Sequence, residues 1–145
     1  MDFSKLINTN LLKAIRSVSN KFEIETYLVG GVIRDYILYS KVVKDIDILV
    51  IGDGIKFSKL IANELNCKVQ IFKNYGTAMI KVNGFQLEFV GARKESYDEN
   101  SRNPSVSIGT LEDDLSRRDF TLNALAVGLS NSNAGKLIDL FDGIK

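Results

Sequence analysis

The feature that most constrains the fold is a six-residue run, Asp45-Ile46-Asp47-Ile48-Leu49-Val50. Its apolar part reads as a buried strand, where a lone ionised carboxylate would be costly. In a strand, residues i and i+2 share a face, so Asp45 and Asp47 project together while Ile46 and Ile48 point the other way. The oily half then anchors the strand in a core. The acidic start faces either plain solvent at a strand end or a site. At the usual rise the two aspartate backbones lie roughly 6.6 to 7 Å apart. That spacing suits carboxylates converging on hard cations about 3.5 to 4 Å from one another, the arrangement of two-metal phosphoryl or nucleotidyl transfer.

The rest of the chain supplies the elements around this strand. Leu11, Leu12, Ile15 and Val18 fall near helical spacing behind Asn8 and Thr9 as caps, which predicts a helix in "NTNLLKAIRSVSNKF". "TYLV" predicts a short strand ending in Gly30-Gly31. A second helix follows in "VIRDYILYS", the aspartate strand in "DIDILVI", and a third helix in "GIKFSKLIANELNC". "KVQIF", "TAMIKV" and "FQLEFVGA" read as strands, the last two joined by Asn83-Gly84 as an antiparallel hairpin. The polar stretch "RKESYDENSRNPSVSIGT" predicts a mobile surface loop. Thr110 with Asp113 three residues on reads as a capping box opening a short helix that ends near Arg117-Arg118. "NALAVGLS" and "KLIDLF" predict a closing hairpin. The expectation is one α+β (mixed α/β) domain with a small mixed, partly antiparallel sheet backed by helices.

Composition narrows the chemistry. At 145 residues, with 45% hydrophobic and 26% charged residues and a single proline, the chain suits one globular core. There is no histidine and one cysteine, Cys67, which excludes the usual zinc ligands, a Ser-His-Asp triad and histidine acid-base catalysis. Catalysis has to use carboxylates, cations, hydroxyls or a hard metal. A lone cysteine and an N-terminus without signal-peptide order point to a reducing, cytoplasmic setting. No apolar run approaches the roughly 20 residues of a membrane helix. The net charge of +1 is neutral on nucleic acid, because a balanced chain can still gather its cations on one face.

Two further constellations carry chemistry. Gly30-Gly31 sits where a strand passes into a helix, so backbone N–H groups and the positive helix end can face an anion; a tight turn needing positive φ is the plainer reading. Arg34, in the first turn, places a cation where the helix dipole disfavours one, which suggests a docked anion. Asp35 beside it serves to cap or to pair with a neighbouring cation. In "RRDFTLNALAV", Arg117 to Val127, two arginines, an acid and an amide can hold phosphate and ribose hydroxyls. Equally, Asp114 and Arg118 can form an i,i+4 pair on an exposed helix, with Asn123 in a turn.

In this order, G-G-x-x-R-D at Gly30 to Asp35, K-D-x-D at Lys44 to Asp47, "EFVGARKESY" at Glu88 to Tyr97 and "TLEDDLSRRDFTLNALAV" at Thr110 to Val127 form an ordered set. The set resembles the head domain of bacterial class II tRNA nucleotidyltransferases, the CCA-adding enzymes and their relatives the bacterial poly(A) polymerases. The resemblance runs from about Thr26 to Gly143. It implies a polymerase-β-like nucleotidyltransferase fold. Gly30, Gly31 and Arg34 match positions that contact the nucleoside triphosphate, and Asp45 and Asp47 match the catalytic Mg²⁺ ligands. Arg118 matches a nucleotide-binding arginine, with Asp119 and Asn123 as neighbours that help seat ribose or phosphate. Glu88, on the hairpin strand, is a candidate third carboxylate.

What the resemblance implies is Mg²⁺-dependent transfer of CMP or AMP from CTP or ATP to the 3′-hydroxyl of tRNA, with release of pyrophosphate. A poly(A) polymerase head, or a nonenzymatic nucleotide-binding module that keeps the fold, are the alternatives. The chain divides into an N-terminal helical region (1–25), a catalytic core (26–141) and the start of a hinge (142–145). It stops at "LIDLFDGIK", before the base-reading E-D-x-x-R helix of the family. Asp113-Asp114-Leu115-Ser116-Arg117 lies in the wrong place to replace that helix. The expectation is that base selection and grip on tRNA come from further C-terminal domains or from a second chain.

Overall fold

The computed structural model describes residues 3–41, 43–97, 104–116, 124–130 and 133–139. The N-terminal part is helical: α1 (Ser4–Ile7) and α2 (Asn10–Lys21) precede β1 (Thr26–Val29), α3 (Gly31–Tyr39), β2 (Asp45–Val50) and α4 (Gly54–Leu65). The next elements are β3 (Gln70–Phe72), a 3₁₀ turn (Lys73–Tyr75), β4 (Thr77–Val82) and β5 (Phe85–Gly91). The last described elements are β6 (Arg93–Tyr97), β7 (Pro104–Ile108), α5 (Leu111–Ser116), β8 (Leu125–Gly128) and β9 (Leu137–Asp139).

Seven strands form one sheet in the order β3-β4-β5-β2-β1-β8-β9, and β6 and β7 form a separate ribbon. All neighbours in the large sheet are antiparallel except β2 and β5, which run parallel with α4 and the β3–β4 hairpin in the crossover. The sheet is therefore mixed and largely antiparallel, as expected.

Each face of the sheet has its own cluster. Leu28, Ile46, Ile48, Val50, Ile80, Leu87, Phe89, Leu125 and Val127 pack with α1, α2, α3 and α4 in the main core. There the rings of Phe57 and Phe89 stand 6.0 Å apart. Burying one such side chain stabilises the fold by about 1.5 to 3 kcal/mol, so β2 cannot shift register without losing several of these contributions. On the opposite face a smaller cluster gathers Tyr27, Val29, Leu49, Ala92, Ala124 and Ala126 under Leu111 and Leu115 of α5.

Local chemistry explains the element ends. Asp53 caps α4, its carboxylate accepting from the Lys56 N–H at 3.1 Å. Asn66, in the left-handed region, ends α4 at Leu65, two residues short of the end of the stretch expected to be helical. Asn83 and Gly84, with φ of 50° and 81°, make the hairpin turn between β4 and β5. The Thr110 capping box is present in both directions: Thr110 N–H donates to Asp113 at 3.0 Å, and Asp113 N–H donates to the Thr110 hydroxyl at 3.1 Å. Gly54 and Gly91 let α4 start against the end of β5. A β-carbon on Gly54 would lie 2.7 Å from the Gly91 nitrogen, and one on Gly91 would lie 2.6 Å from the Gly52 carbonyl oxygen.

The structure corrects three expectations. The stretch from 93 to 110 is not simply a loop, because β6 and β7 pair antiparallel from Arg93 opposite Ile108 to Tyr97 opposite Pro104. Its polar composition lacks the apolar alternation by which a strand is recognised, while Pro104 at a strand start needs no ladder N–H. Residues 98–103 lie outside the described residues. Helix α1, too short for any period to show, was not expected. Finally, Asp114 is fully buried rather than on an exposed helix, and Arg118, its expected partner, lies outside the described residues.

Two consequences are measurable. In Gly54→Ala the new methyl meets backbone that cannot rotate away, and unfolding in urea is expected to show a loss of about 1 to 3 kcal/mol. Tyr27 is buried, and that burial together with the Glu25 carboxylate pushes its hydroxyl pKa up to about 12. The native state thus holds a proton that the unfolded chain gives up near pH 10. Stability from this source is intact below about pH 10 and is lost as the pH rises from there towards 12. Tyr27→Phe is expected to remove that part of the alkaline decline, seen as a flatter urea midpoint against pH.

Candidate functional site

The site forms where β1 ends and β2 begins. Val29 lies opposite Asp47 across the β1–β2 pair. The chain then turns at Gly30, whose φ of 77° and ψ of −143° suit only glycine, and enters α3 at Gly31. A β-carbon on Gly30 would stand 3.2 Å from Oδ2 of Asp47. Glycine here therefore serves two needs, a backbone conformation and room for a carboxylate. A β-carbon on Gly31 would stand 3.1 Å from a terminal guanidinium nitrogen of Arg34, so that side chain folds back over the start of its own helix. Its Nε donates to Asp35 at 3.2 Å, with both side chains partly exposed. The pairing read from the sequence for Asp35 is thus formed.

Along β2, Asp45 is exposed, Asp47 half-buried, and Ile46 and Ile48 between and beyond them are buried. This is the two-faced strand that the alternation demanded. The parallel neighbour brings Glu88 directly beside Asp47 and Gln86 beside Asp45. Residues opposite one another in a sheet share a face, so Asp45, Asp47 and Glu88 lie together on the face away from the main core. The candidate third carboxylate stands next to the pair. Among the described residues no group of three His, Cys, Asp or Glu side chains is arranged to hold a metal by itself.

Register also adds residues not singled out in the sequence. Beyond Glu88 comes Met79, and beyond Gln86 comes Lys81, both on β4. Lys44, just before β2, holds its ammonium 5.2 Å from the centre of the Phe85 ring. Cross-strand position depends on which strands pair, which a single strand pattern does not encode. Arg118, Asp119 and Asn123 lie outside the described residues. Cys67 is a free thiol whose burial raises its pKa, the reverse of what a thiolate nucleophile needs. Among the described residues no helix is long and apolar enough to cross a membrane.

The arrangement offers an anion-facing helix start with a guanidinium on one side of Asp47 and a row of carboxylates on the other. The chain is 41% identical over 122 residues to the A-adding tRNA nucleotidyltransferase of Aquifex aeolicus, covering 84% of this chain and 15% of that protein. A solved CCA-adding enzyme, in its apo form II, matches with a TM-score of 0.82 at 32% identity, over 99% of this chain and 35% of its own. A tRNA nucleotidyltransferase complexed with a primer tRNA and an incoming ATP analog matches with a TM-score of 0.75 at 34% identity, over 90% of this chain and 35% of its own. The chain thus spans between about one seventh and one third of the length of these relatives. The fold is that of the polymerase-β-like nucleotidyltransferases. Residues 26–145 match the profile of the poly A polymerase head domain, and the chain belongs to that family.

Proposed function

We propose that this chain is the catalytic head of a tRNA nucleotidyltransferase that adds CMP or AMP from CTP or ATP to the 3′-hydroxyl of tRNA and releases pyrophosphate. In this reading residues 1–25 are an N-terminal helical support, 26–141 the catalytic core, and 142–145 lead towards the elements that choose the base and grip tRNA. The observation that carries it is the place of Asp47, which has the Gly30 turn and the start of α3 against one side and Asp45 and Glu88 along the sheet on the other. The relatives with tRNA or a nucleotide in their names support the substrate class. The lone cysteine supports a reducing, cytoplasmic setting.

The donor set suits magnesium, which takes one or two carboxylates and completes its shell with water and phosphate oxygens. Asp45 and Asp47 share a face at adjacent alternate positions, and so fit that role, with Glu88 placed to assist. A metal held by these carboxylates would supply Lewis acidity, lowering the pKa of the attacking hydroxyl and offsetting charge on the leaving group.

The chain's own residues do the rest. The Gly30-Gly31 turn and Arg34 hold the β and γ phosphates by backbone N–H groups and a guanidinium. Arg118, Asp119 and Asn123 are assigned to ribose and phosphate. The new bond forms between the 3′-oxygen and the α-phosphorus as the bond to the β-phosphate oxygen breaks. Pyrophosphate leaves with that electron pair, and the hydroxyl proton passes to water.

Template-free incorporation into tRNA ending before CCA, with CTP and ATP supplied separately, tests this. Asp47→Asn is expected to lower kcat by about a hundredfold or more while the chain stays folded. Equal incorporation by that variant would instead favour a nucleotide-binding module without this catalysis. Gly30→Ala is expected to cost about 1 to 3 kcal/mol of stability and to weaken nucleotide protection against thermal unfolding. The family's description favours one second reading, a poly(A) polymerase. Long adenylate tails on RNAs other than tRNA would decide for it.

A further inference from the structure

Arg34 and Asp35 follow one another on α3, and adjacent positions on a helix do not face each other. Their contact is therefore not a product of sequence adjacency. It forms because the arginine turns back towards the helix start. A β-carbon on Gly31 would stand 3.1 Å from a terminal guanidinium nitrogen and 3.7 Å from the guanidinium carbon. In that position Nε donates to Oδ1 of Asp35 at 3.2 Å. Among the described residues, no carboxylate or carbonyl accepts from the terminal nitrogens. The acid thus occupies Nε alone and leaves the terminal pair, an edge that can make two parallel bonds to a phosphate, beside Gly31.

Stability does not call for this pair. The two side chains are 41% and 25% exposed, and an ion pair in that setting contributes little to folding. The helix dipole disfavours a cation so near its start, so α3 gains nothing by keeping the arginine there. Asp35 can do one of two things, neutralise the guanidinium or hold it in one orientation, and the two differ in sign. A carboxylate that only neutralises lowers affinity for an anion. One that orients raises it, because a long side chain already ordered loses less freedom when a phosphate arrives. The single contact through Nε favours orientation, since it fixes the guanidinium plane and leaves the other donors for a ligand. We propose that Asp35 is a positioning residue for the nucleoside triphosphate. It touches neither phosphate nor metal, and acts by holding Arg34 with its terminal nitrogens at the Gly30-Gly31 turn. The role rests on the transferase reading for the identity of the anion, and on the Arg34–Asp35 geometry for the residue.

The test uses the protein at its full natural length with Mg²⁺ present, and follows binding of inorganic pyrophosphate and of CTP or ATP by calorimetry beside steady-state kinetics. In Asp35→Ala, the dissociation constants for pyrophosphate and for the nucleotide are expected to rise about threefold to tenfold. KM for tRNA ending before CCA is expected to change less than about twofold, and Tm to move by about 4 °C or less. With Arg34→Ala already in place, Asp35→Ala is expected to change pyrophosphate affinity less than about twofold, because the acid then has nothing to hold. Asp35→Asn, which keeps an acceptor oxygen for Nε, is expected to recover most of the affinity. Tighter pyrophosphate binding by Asp35→Ala would reduce the acid to a charge offset and overturn the role. So would an equal loss with and without Arg34, even if incorporation is normal. Losses that depend on Arg34, in a protein that incorporates no nucleotide, would uphold the role and remove the transferase reading.

Discussion

Everything at the site depends on burying one face of β2. Ile46 and Ile48 are held in the main core by Leu28, Leu87 and Phe89 from the strands on either side. A slip of one residue would exchange these for Asp45 and Asp47, exposing two isoleucines and burying two carboxylates. The free energy that fixes the carboxylates is thus hydrophobic, although their chemistry is electrostatic. The parallel pairing with β5 extends the same lock to Glu88, whose neighbours Leu87 and Phe89 are fully buried.

Close backbone approach then brings the start of a helix to the acids. Gly30 lets the chain leave β1 beside Asp47 and start α3 at once, so positive helix end and carboxylate face the same space. Gly54 and Gly91 do the equivalent for α4, seating it on the core face behind β4 and β5. The helices α1 to α4 thereby stay on one side of the sheet, and α5 covers part of the other.

Elements with strong local signals were legible from the chain alone. "TYLV" and "TAMIKV" are strands at the expected bounds, because β-branched and aromatic residues favour the pleat in the fully buried first and alternation reports the half-buried second. Asn83-Gly84 specifies its turn through positive φ at both residues, and Thr110 with Asp113 specifies its helix start through reciprocal hydrogen bonds. The β6–β7 ribbon was not legible, since its polar residues carry no face pattern and its pairing is between segments seven residues apart. Nor was the burial of Asp114, which the first turn of a capped helix would normally leave in water.

For the site, the sequence by itself determined that Asp45 and Asp47 share a face and that Gly30-Gly31 and Arg34 open a helix, because those relations follow from local periodicity and backbone freedom. Only the tertiary structure decided that the Gly30 turn lies beside the Asp47 carboxylate, that Glu88 stands next to it on β5, and that Gln86 and Lys81 continue the row. Those relations come from strand order and register, which depend on how the whole apolar face packs against its helices rather than on any one segment.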